Sequence, residues 1–193
     1  MQKSHSVSED ETVSYITTYS KKPLDPVTAK ADEIKLVDIA HALSLMCRAN
    51  GHFPYFYSVA QHCVNCVKEA AARGYSRRVQ LGCLLHDASE AYLSDVTRPI
   101  KQLLPYYLEV EERLQNVIFD KWITPPLTEE ERCLIFEVDD TLLYHEFMEI
   151  MGERVADTVP SLYVTLDFSC VDFSLVEKQY TQLFEKLTGD KTS

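Results

Sequence analysis

Apolar residues at helical spacing dominate this sequence and constrain its fold more than any other feature. From about Leu36 to Ala49, for example, Ile39, Leu43 and Met46 fall on one stripe. No heptad is sustained and no segment is repeated, and strand-type spacing is confined to VSYITTYSKKPLDP near the start. The sequence therefore predicts an all-α fold, a compact orthogonal helical bundle with a short N-terminal strand or hairpin.

Start and stop signals divide the apolar runs into six predicted helices. Ser58 and a capping box from Thr128 to Glu131 are typical helix starts, whereas Gly74 and the pair Pro125-Pro126 are typical stops. The predicted helices span residues 36–49, 58–73, 76–92, 105–122, 128–151 and 173–187. We expect residues 1–193 to form a single domain, with residues 1–12 as a flexible tail.

Composition and charge narrow the class of partner. The chain has 193 residues, of which 46% are hydrophobic and 25% are charged, as in ordinary globular proteins. A net charge of −11 argues against a nucleic-acid surface, which needs many Lys and Arg side chains, but it allows a small phosphorylated substrate. No apolar run has membrane-spanning length and no signal peptide is evident, so we expect a cytoplasmic protein without a membrane partner.

A few ionisable residues interrupt the apolar helical runs, where they are costly unless paired or bound to a metal. His62 lies in the second predicted helix, and the pair His86-Asp87 lies in the third. The fifth helix offers Asp139 or Asp140, each on a partly apolar stripe, so periodicity alone leaves that choice open. A lone histidine or a His-Asp dipeptide is common. Two imidazoles with two carboxylates, however, are typical of a divalent metal centre in a hydrolase.

The six cysteines are scattered and do not form a disulfide framework. Cys63 and Cys66 have CxxC spacing, but they lie within a predicted helix and no second CxxC accompanies them. We expect reduced residues of the core at all six positions: Cys47, Cys63, Cys66, Cys83, Cys133 and Cys170.

The segments DIAHALSLMCRANGHFPYFYSVAQH and LLHDASEAYLSDVTRPIK carry a resemblance to a known family. They resemble HD-domain metal-dependent phosphohydrolases, in the branch of bacterial 5′-deoxynucleotidases and phage deoxyadenosine triphosphate triphosphohydrolases. The similarity covers roughly Tyr15 to Met151. It implies one divalent ion, of manganese, cobalt, iron, zinc or magnesium, and selects Asp139 over the fallback Asp140. The implied ligands are His62, His86, Asp87 and Asp139.

Three further residues gain a role from this resemblance. Glu90 follows His86 by one helical turn, and the matching glutamate of the family is the proposed catalytic carboxylate. Asp95 matches an aspartate near the substrate, although alone it is typical of a turn. Lys101 matches a family lysine that would bind substrate, but a surface lysine is nearly as good an interpretation.

Two residues near the end of the first predicted helix are candidates for phosphate binding. Arg48 is a strong cation there, guanidinium suits bidentate phosphate binding, and the matching arginine of the family contacts phosphate. His52 either hydrogen-bonds a phosphoryl oxygen or is a structural loop histidine. The aromatic residues that follow it could stack on a base, although aromatic clusters are more often core.

These observations lead to two alternatives for function. The first is a metal-dependent phosphohydrolase acting on a (deoxy)nucleoside mono- or triphosphate. The second is a catalytically silent nucleotide-binding or sensor module that retains the metal site. The sequence does not distinguish monophosphate from triphosphate, the base and sugar preference or the physiological metal. The family resemblance implies a homo-oligomer, a dimer or higher.

Overall fold

The computed structural model describes residues 15–189, so the predicted tail, residues 1–12, lies outside the described part. The chain is mostly helical, and the predicted N-terminal hairpin is confirmed. Strands β1 (Ile16–Thr17) and β2 (Pro23–Leu24) pair antiparallel. The helices are α1 (Leu36–Leu45), α2 (Val59–Ala72), α3 (Arg77–Leu85), α4 (Glu90–Leu93), α5 (Arg98–Lys101), α6 (Pro105–Trp122), α7 (Glu129–Glu146) and α8 (Phe173–Thr188).

Two predicted helices end earlier than their apolar pattern suggests. The first stops at Leu45 instead of Ala49, because Met46 is extended and Cys47 pairs with Ser58 in an antiparallel bridge. The third, predicted to reach Tyr92, stops at Leu85 and resumes as α4. Between α3 and α4 the backbone makes i→i+3 turns, among them the bond from the N–H of Ala88 to the carbonyl of Leu85.

Helix α2 is the centre of the bundle. It packs against α1, α3, α7 and α8, and 11 of its 14 residues are buried. A helix buried on almost all sides occupies the middle of a core, and polar residues on it need partners. The described residues include no helix that is long and apolar enough to cross a membrane.

Residues 152–172 form an irregular segment that we call the C-terminal strap. It lies along α2, whose side chains bind its backbone at successive turns. The amide of Gln61 donates to the carbonyl of Ser169 (3.0 Å), and that of Asn65 donates to the carbonyl of Asp167 (3.0 Å). Glu69 accepts from the N–H of Tyr163 (3.0 Å). The strap therefore satisfies polar groups on the outer face of the central helix.

Helices α3 and α7 pack closely, and this packing brings two groups of predicted site residues together. Gly82 lies against Ile135, and a Cβ at Gly82 would overlap the Cδ1 atom of that side chain. The absence of a side chain at Gly82 thus lets the helix that leads to His86 approach the helix that carries Asp139.

We expect Gly82→Ala to destabilise the protein. Overpacking of a core costs about 1–3 kcal/mol, and the better helix propensity of alanine offsets about 1 kcal/mol of that cost. The net loss of unfolding free energy is then on the order of 1 kcal/mol, measurable by urea denaturation. Ile135→Val removes the overlapping atom, so Gly82→Ala should cost less in that background. Equal costs in both backgrounds would contradict this account of the α3–α7 contact.

Candidate metal centre

Four side chains from α2, the end of α3 and α7 converge on one point. The Nε2 atom of His62 lies 3.2 Å from Nε2 of His86 and 3.1 Å from Oδ1 of Asp139. The Nε2 atom of His86 lies 3.2 Å from Oδ2 of Asp87 and 3.6 Å from Oδ1 of Asp139. Ligands held about 2.1 Å from an ion are separated from their neighbours by about 3–3.5 Å. The donor set therefore fits a small divalent cation.

The structure separates the two aspartates between which periodicity could not choose. Asp139 contacts both imidazoles, and its side chain is 17% exposed. The side chain of Asp140 is 60% exposed and pairs with Arg98 instead (2.6 Å). Asp139 is thus placed in the cluster and Asp140 on its rim.

Hydrogen bonds behind the cluster orient both imidazoles. The Nδ1–H of His62 donates to Oε1 of Glu146 (2.6 Å), and the Nδ1–H of His86 donates to the carbonyl of Cys83 (2.9 Å). Both Nε2 atoms consequently face the shared centre, the arrangement in which histidines bind metals. Fixing the tautomer in this way prepares the site for a cation.

The electrostatics of the cluster favour a bound positive charge. Burial opposes the ionisation of Asp139, yet hydrogen bonds with His62 and His86 outweigh it and hold the Asp139 pKa well below its ordinary range. Burial likewise opposes the charged form of His86, but the carboxylates of Asp87 and Asp139 raise its pKa well above normal. Without a metal, protons thus neutralise this acidic centre, and metal binding displaces them.

Two thiols lie next to the cluster. Sγ of Cys66 is 3.5 Å from Nε2 of His62, and the ligand atoms of His62, Cys66 and His86 lie within 4.8 Å of one another. Those of Cys63, His86 and Asp87 also lie within 4.8 Å of one another. Asp139 lies closer to Nε2 of His62 (3.1 Å) than the thiol of Cys66 does, so we favour the carboxylates as the anionic ligands.

All six cysteines are free, but the expectation that all are core residues is wrong for half of them. Cys63, Cys66 and Cys83 are buried in the bundle. Cys47, Cys133 and Cys170 are exposed, because they lie after the end of α1, on the outer face of α7 and in the C-terminal strap, respectively.

Beside the cluster, the buried carboxyl group of Glu90 pairs with the half-buried Lys101. Glu90 is 3% exposed, and its Oε1 accepts a hydrogen bond from Nζ of Lys101 (3.4 Å), which also donates to Glu111 (2.6 Å). Within residues 15–189, the other oxygen of Glu90 has no hydrogen-bond partner. Burial, together with the charges of Asp87 and Asp95, raises the Glu90 pKa well above its usual value.

The charges of Asp95 and Arg48 both act on Glu90, so the two side chains lie near this pair. Burial raises the Asp95 pKa, and the charges of Arg48 and Lys101 oppose that rise, so Asp95 lies within their electrostatic reach. Arg48 follows α1, and its backbone N–H donates to the carbonyl of Tyr57 (2.9 Å). Its guanidinium lies 3.4 Å from Oδ2 of Asp87.

His52 is the predicted site residue that the structure does not bring to the cluster. Its side chain is exposed, and its backbone N–H closes a turn on the carbonyl of Ala49. The nearby aromatic residues Phe53 and Tyr57 are buried against Phe147 and Phe168, so they belong to a small core. Both features favour the structural interpretation of this loop.

Two residues at the site are not among those predicted from the sequence. Glu146 follows Asp139 by seven residues, two helical turns along the same face, and that spacing is a signal that could have found it. Arg98 begins the short helix α5 and lies 3.3 Å from Oδ2 of Asp139. No periodic pattern marks Arg98, because its neighbours are a connector and a four-residue helix.

Comparison with known proteins shows similarity to relatives without a described function. The chain is 40% identical over 115 residues to the uncharacterized protein YfdR of Escherichia coli, which covers 60% of this chain and 62% of that protein. It is 39% identical over 105 residues to the uncharacterized protein RCAP_rcc00048 of Rhodobacter capsulatus, covering 51% of this chain and 53% of that protein. The matches thus span less than two thirds of either relative. No family model matches the chain.

Proposed function

We propose that this protein is a metal-dependent phosphohydrolase of the HD-domain type, acting on a (deoxy)nucleoside mono- or triphosphate. The observation that carries the proposal is the convergence of four nitrogen and oxygen donors from α2, the α3–α4 turn and α7. Their order along the chain, His, His-Asp and Asp, matches the signature of the family that the sequence resembles. The side-chain cations Arg48 and Lys101 and the buried carboxylate of Glu90 lie beside the cluster. They could stabilise phosphate charge and accept a proton, as phosphate-ester hydrolysis requires.

The proposed ligands are the four residues of the cluster: His62, His86, Asp87 and Asp139. A divalent cation held there supplies Lewis-acid polarisation of a phosphoryl oxygen and a lowered pKa for a coordinated water molecule.

The residues of the chain perform the other tasks. Glu90 orients the attacking water and accepts its proton at the oxygen for which residues 15–189 provide no hydrogen-bond partner. Lys101 holds Glu90 through the opposite oxygen. Arg48 neutralises charge on the phosphate that is cleaved, and Asp95 faces the sugar.

Arg98 gives the proposed substrate a second cationic contact. Its side chain is 60% exposed, and its partner Asp140 is equally exposed, so water screens their ion pair and exchange for a phosphate costs little. Since Arg98 also lies against Asp139, it is placed to meet a phosphate next to the one that is cleaved.

We expect Arg98→Ala to raise KM for a deoxynucleoside triphosphate about tenfold, corresponding to one charge-assisted hydrogen bond. KM for the monophosphate, which has no additional phosphate, should change by less than about threefold on the same scale. Steady-state kinetics with both substrates measure the difference. Lys22→Ala, a cation of the hairpin between β1 and β2, provides a control. Equal changes in KM for both substrates would contradict a contact beyond the cleaved phosphate.

The test of the proposal is phosphate release from a panel of nucleoside mono- and triphosphates. Metal-stripped protein is assayed with manganese, cobalt, iron, zinc or magnesium added back. Metal-dependent release of inorganic phosphate or tripolyphosphate supports the hydrolase and names the bond that is cleaved. Binding of nucleotides without turnover under any metal would favour the silent nucleotide-binding or sensor module. The homo-oligomer stays a prediction, which light scattering after size-exclusion chromatography measures.

A further inference from the structure

Glu146 is completely buried at the end of α7, and its two carboxylate oxygens serve different halves of the site. Oε1 accepts from the Nδ1–H of His62 (2.6 Å) and from the hydroxyl of Tyr57 (3.1 Å). Oε2 accepts from the guanidinium of Arg48 (3.3 Å). Glu146 therefore forms hydrogen bonds both with His62, a residue of the cluster, and with Arg48, the arginine beside it.

We propose that Glu146 is a positioning residue that aligns the metal-binding imidazole of His62 with the phosphate-binding guanidinium of Arg48. The inference rests on the proposed function. In it, the buried carboxylate of Glu146 sets the distance between the metal site and the phosphate site. It acts through His62 and Arg48 and does not itself touch the substrate.

A carboxylate suits this task better than any other side chain. It offers acceptors in two directions, whereas the amide of glutamine accepts at one atom and presents N–H donors at the other. At position 146 an amide would satisfy either His62 or Arg48, and its NH₂ group would oppose the remaining donor. The geometry therefore needs a charged group with two oxygens.

A relay behind Glu146 keeps the carboxylate in place. The amide of Asn65 donates to the hydroxyl oxygen of Tyr57 (3.0 Å), which leaves the proton of that hydroxyl for Glu146. Asn65 itself is fixed by its bond to the C-terminal strap at Asp167. All of these side chains are buried, so water does not compete for their hydrogen bonds.

The test compares two fully buried glutamates that each hold an arginine. Glu146→Gln removes the proposed alignment, whereas Glu69→Gln perturbs a site away from the cluster, where Glu69 binds Arg73 (2.8 Å) and the strap. Mn²⁺ binding to metal-stripped protein is followed by the electron paramagnetic resonance signal of the free ion. We expect Glu146→Gln to weaken Mn²⁺ binding about 10- to 100-fold, the usual effect of losing such a hydrogen-bond partner. Glu69→Gln should change the Kd for Mn²⁺ by less than about twofold, because it touches no proposed ligand.

The second readout concerns Arg48. Calorimetric titration of inorganic phosphate into the Mn²⁺-saturated proteins should show weaker binding in Arg48→Ala and in Glu146→Gln. Both changes disrupt the same contact between the Arg48 guanidinium and phosphate. The double variant should therefore bind phosphate no more weakly than Arg48→Ala. A purely structural role for Glu146 would instead give additive losses.

Failure of this inference can be told apart from failure of the proposed function. Wild-type protein that binds none of manganese, cobalt, iron, zinc and magnesium would contradict both. Wild-type protein that binds Mn²⁺, with Glu146→Gln binding it equally well, would overturn the role of Glu146 alone. If Glu146→Gln does not fold, as judged by circular dichroism, Tyr57→Phe decides the question. Loss of its hydroxyl should weaken Mn²⁺ binding about three- to tenfold, and an unchanged Kd would overturn the inference.

Discussion

Replacing Asp139 with alanine is expected to lower kcat/KM for metal-dependent phosphate release by at least about 10³-fold. The change removes a carboxylate that contacts both His62 and His86, so under the proposed function it removes a metal ligand and the acidic partner of the imidazoles. Asp140→Ala provides the matched control, since Asp140 is the next residue but is exposed on the rim. We expect that variant to retain activity within a few-fold of the wild type.

The measurement is phosphate release at saturating manganese, together with Mn²⁺ binding to each variant. The expected pattern is loss of both properties in Asp139→Ala and retention of both in Asp140→Ala. The opposite pattern would make Asp140 the fourth ligand and would contradict the arrangement described above.

Glu90→Gln is expected to reduce kcat about 10²- to 10⁴-fold, the range associated with loss of a general base. The amide keeps the shape of the side chain but cannot accept a proton from water. Since Glu90 does not belong to the four-residue cluster, the Kd for Mn²⁺ should stay within about threefold of the wild-type value. Steady-state kinetics and the same Mn²⁺ titration separate these two effects.

Glu111→Gln is the control for Glu90, because Glu111 contacts the same lysine (2.6 Å) from α6. Its loss should leave kcat within a few-fold of wild type. If Glu90→Gln abolished Mn²⁺ binding, Glu90 would be a ligand. If it left kcat unchanged, the general-base assignment would be wrong.

Local signals in the sequence were sufficient for most of the helical architecture. Ser58 caps α2 through a hydrogen bond to the N–H of Gln61, and Thr128 and Glu131 form the predicted capping box. These signals act within one turn of the chain, so periodicity and capping rules describe them. The hairpin was also predicted, from β-branched and aromatic residues ahead of a turn.

Periodicity and capping rules could not predict contacts between residues that are far apart in the chain. The choice between Asp139 and Asp140 needed the positions of three helices, and periodicity could not supply them. No local signal marks the break between α3 and α4, because its residues are compatible with a helix. The bonds from α2 to the C-terminal strap end on main-chain carbonyl and N–H groups, which every residue carries and no sequence pattern marks.

The C-terminal strap has a consequence for the order in which the molecule is completed. The residues that it joins to α2 are between 94 and 108 positions apart in the chain. At a synthesis rate of about 5–20 residues per second, the ribosome needs roughly 5–20 s to bridge that gap. During this interval Gln61, Asn65 and Glu69 have only water in place of the strap. A nascent chain that already contains His62, His86, Asp87 and Asp139 therefore still lacks the strap that fixes Asn65, whose amide holds the Tyr57 hydroxyl against Glu146.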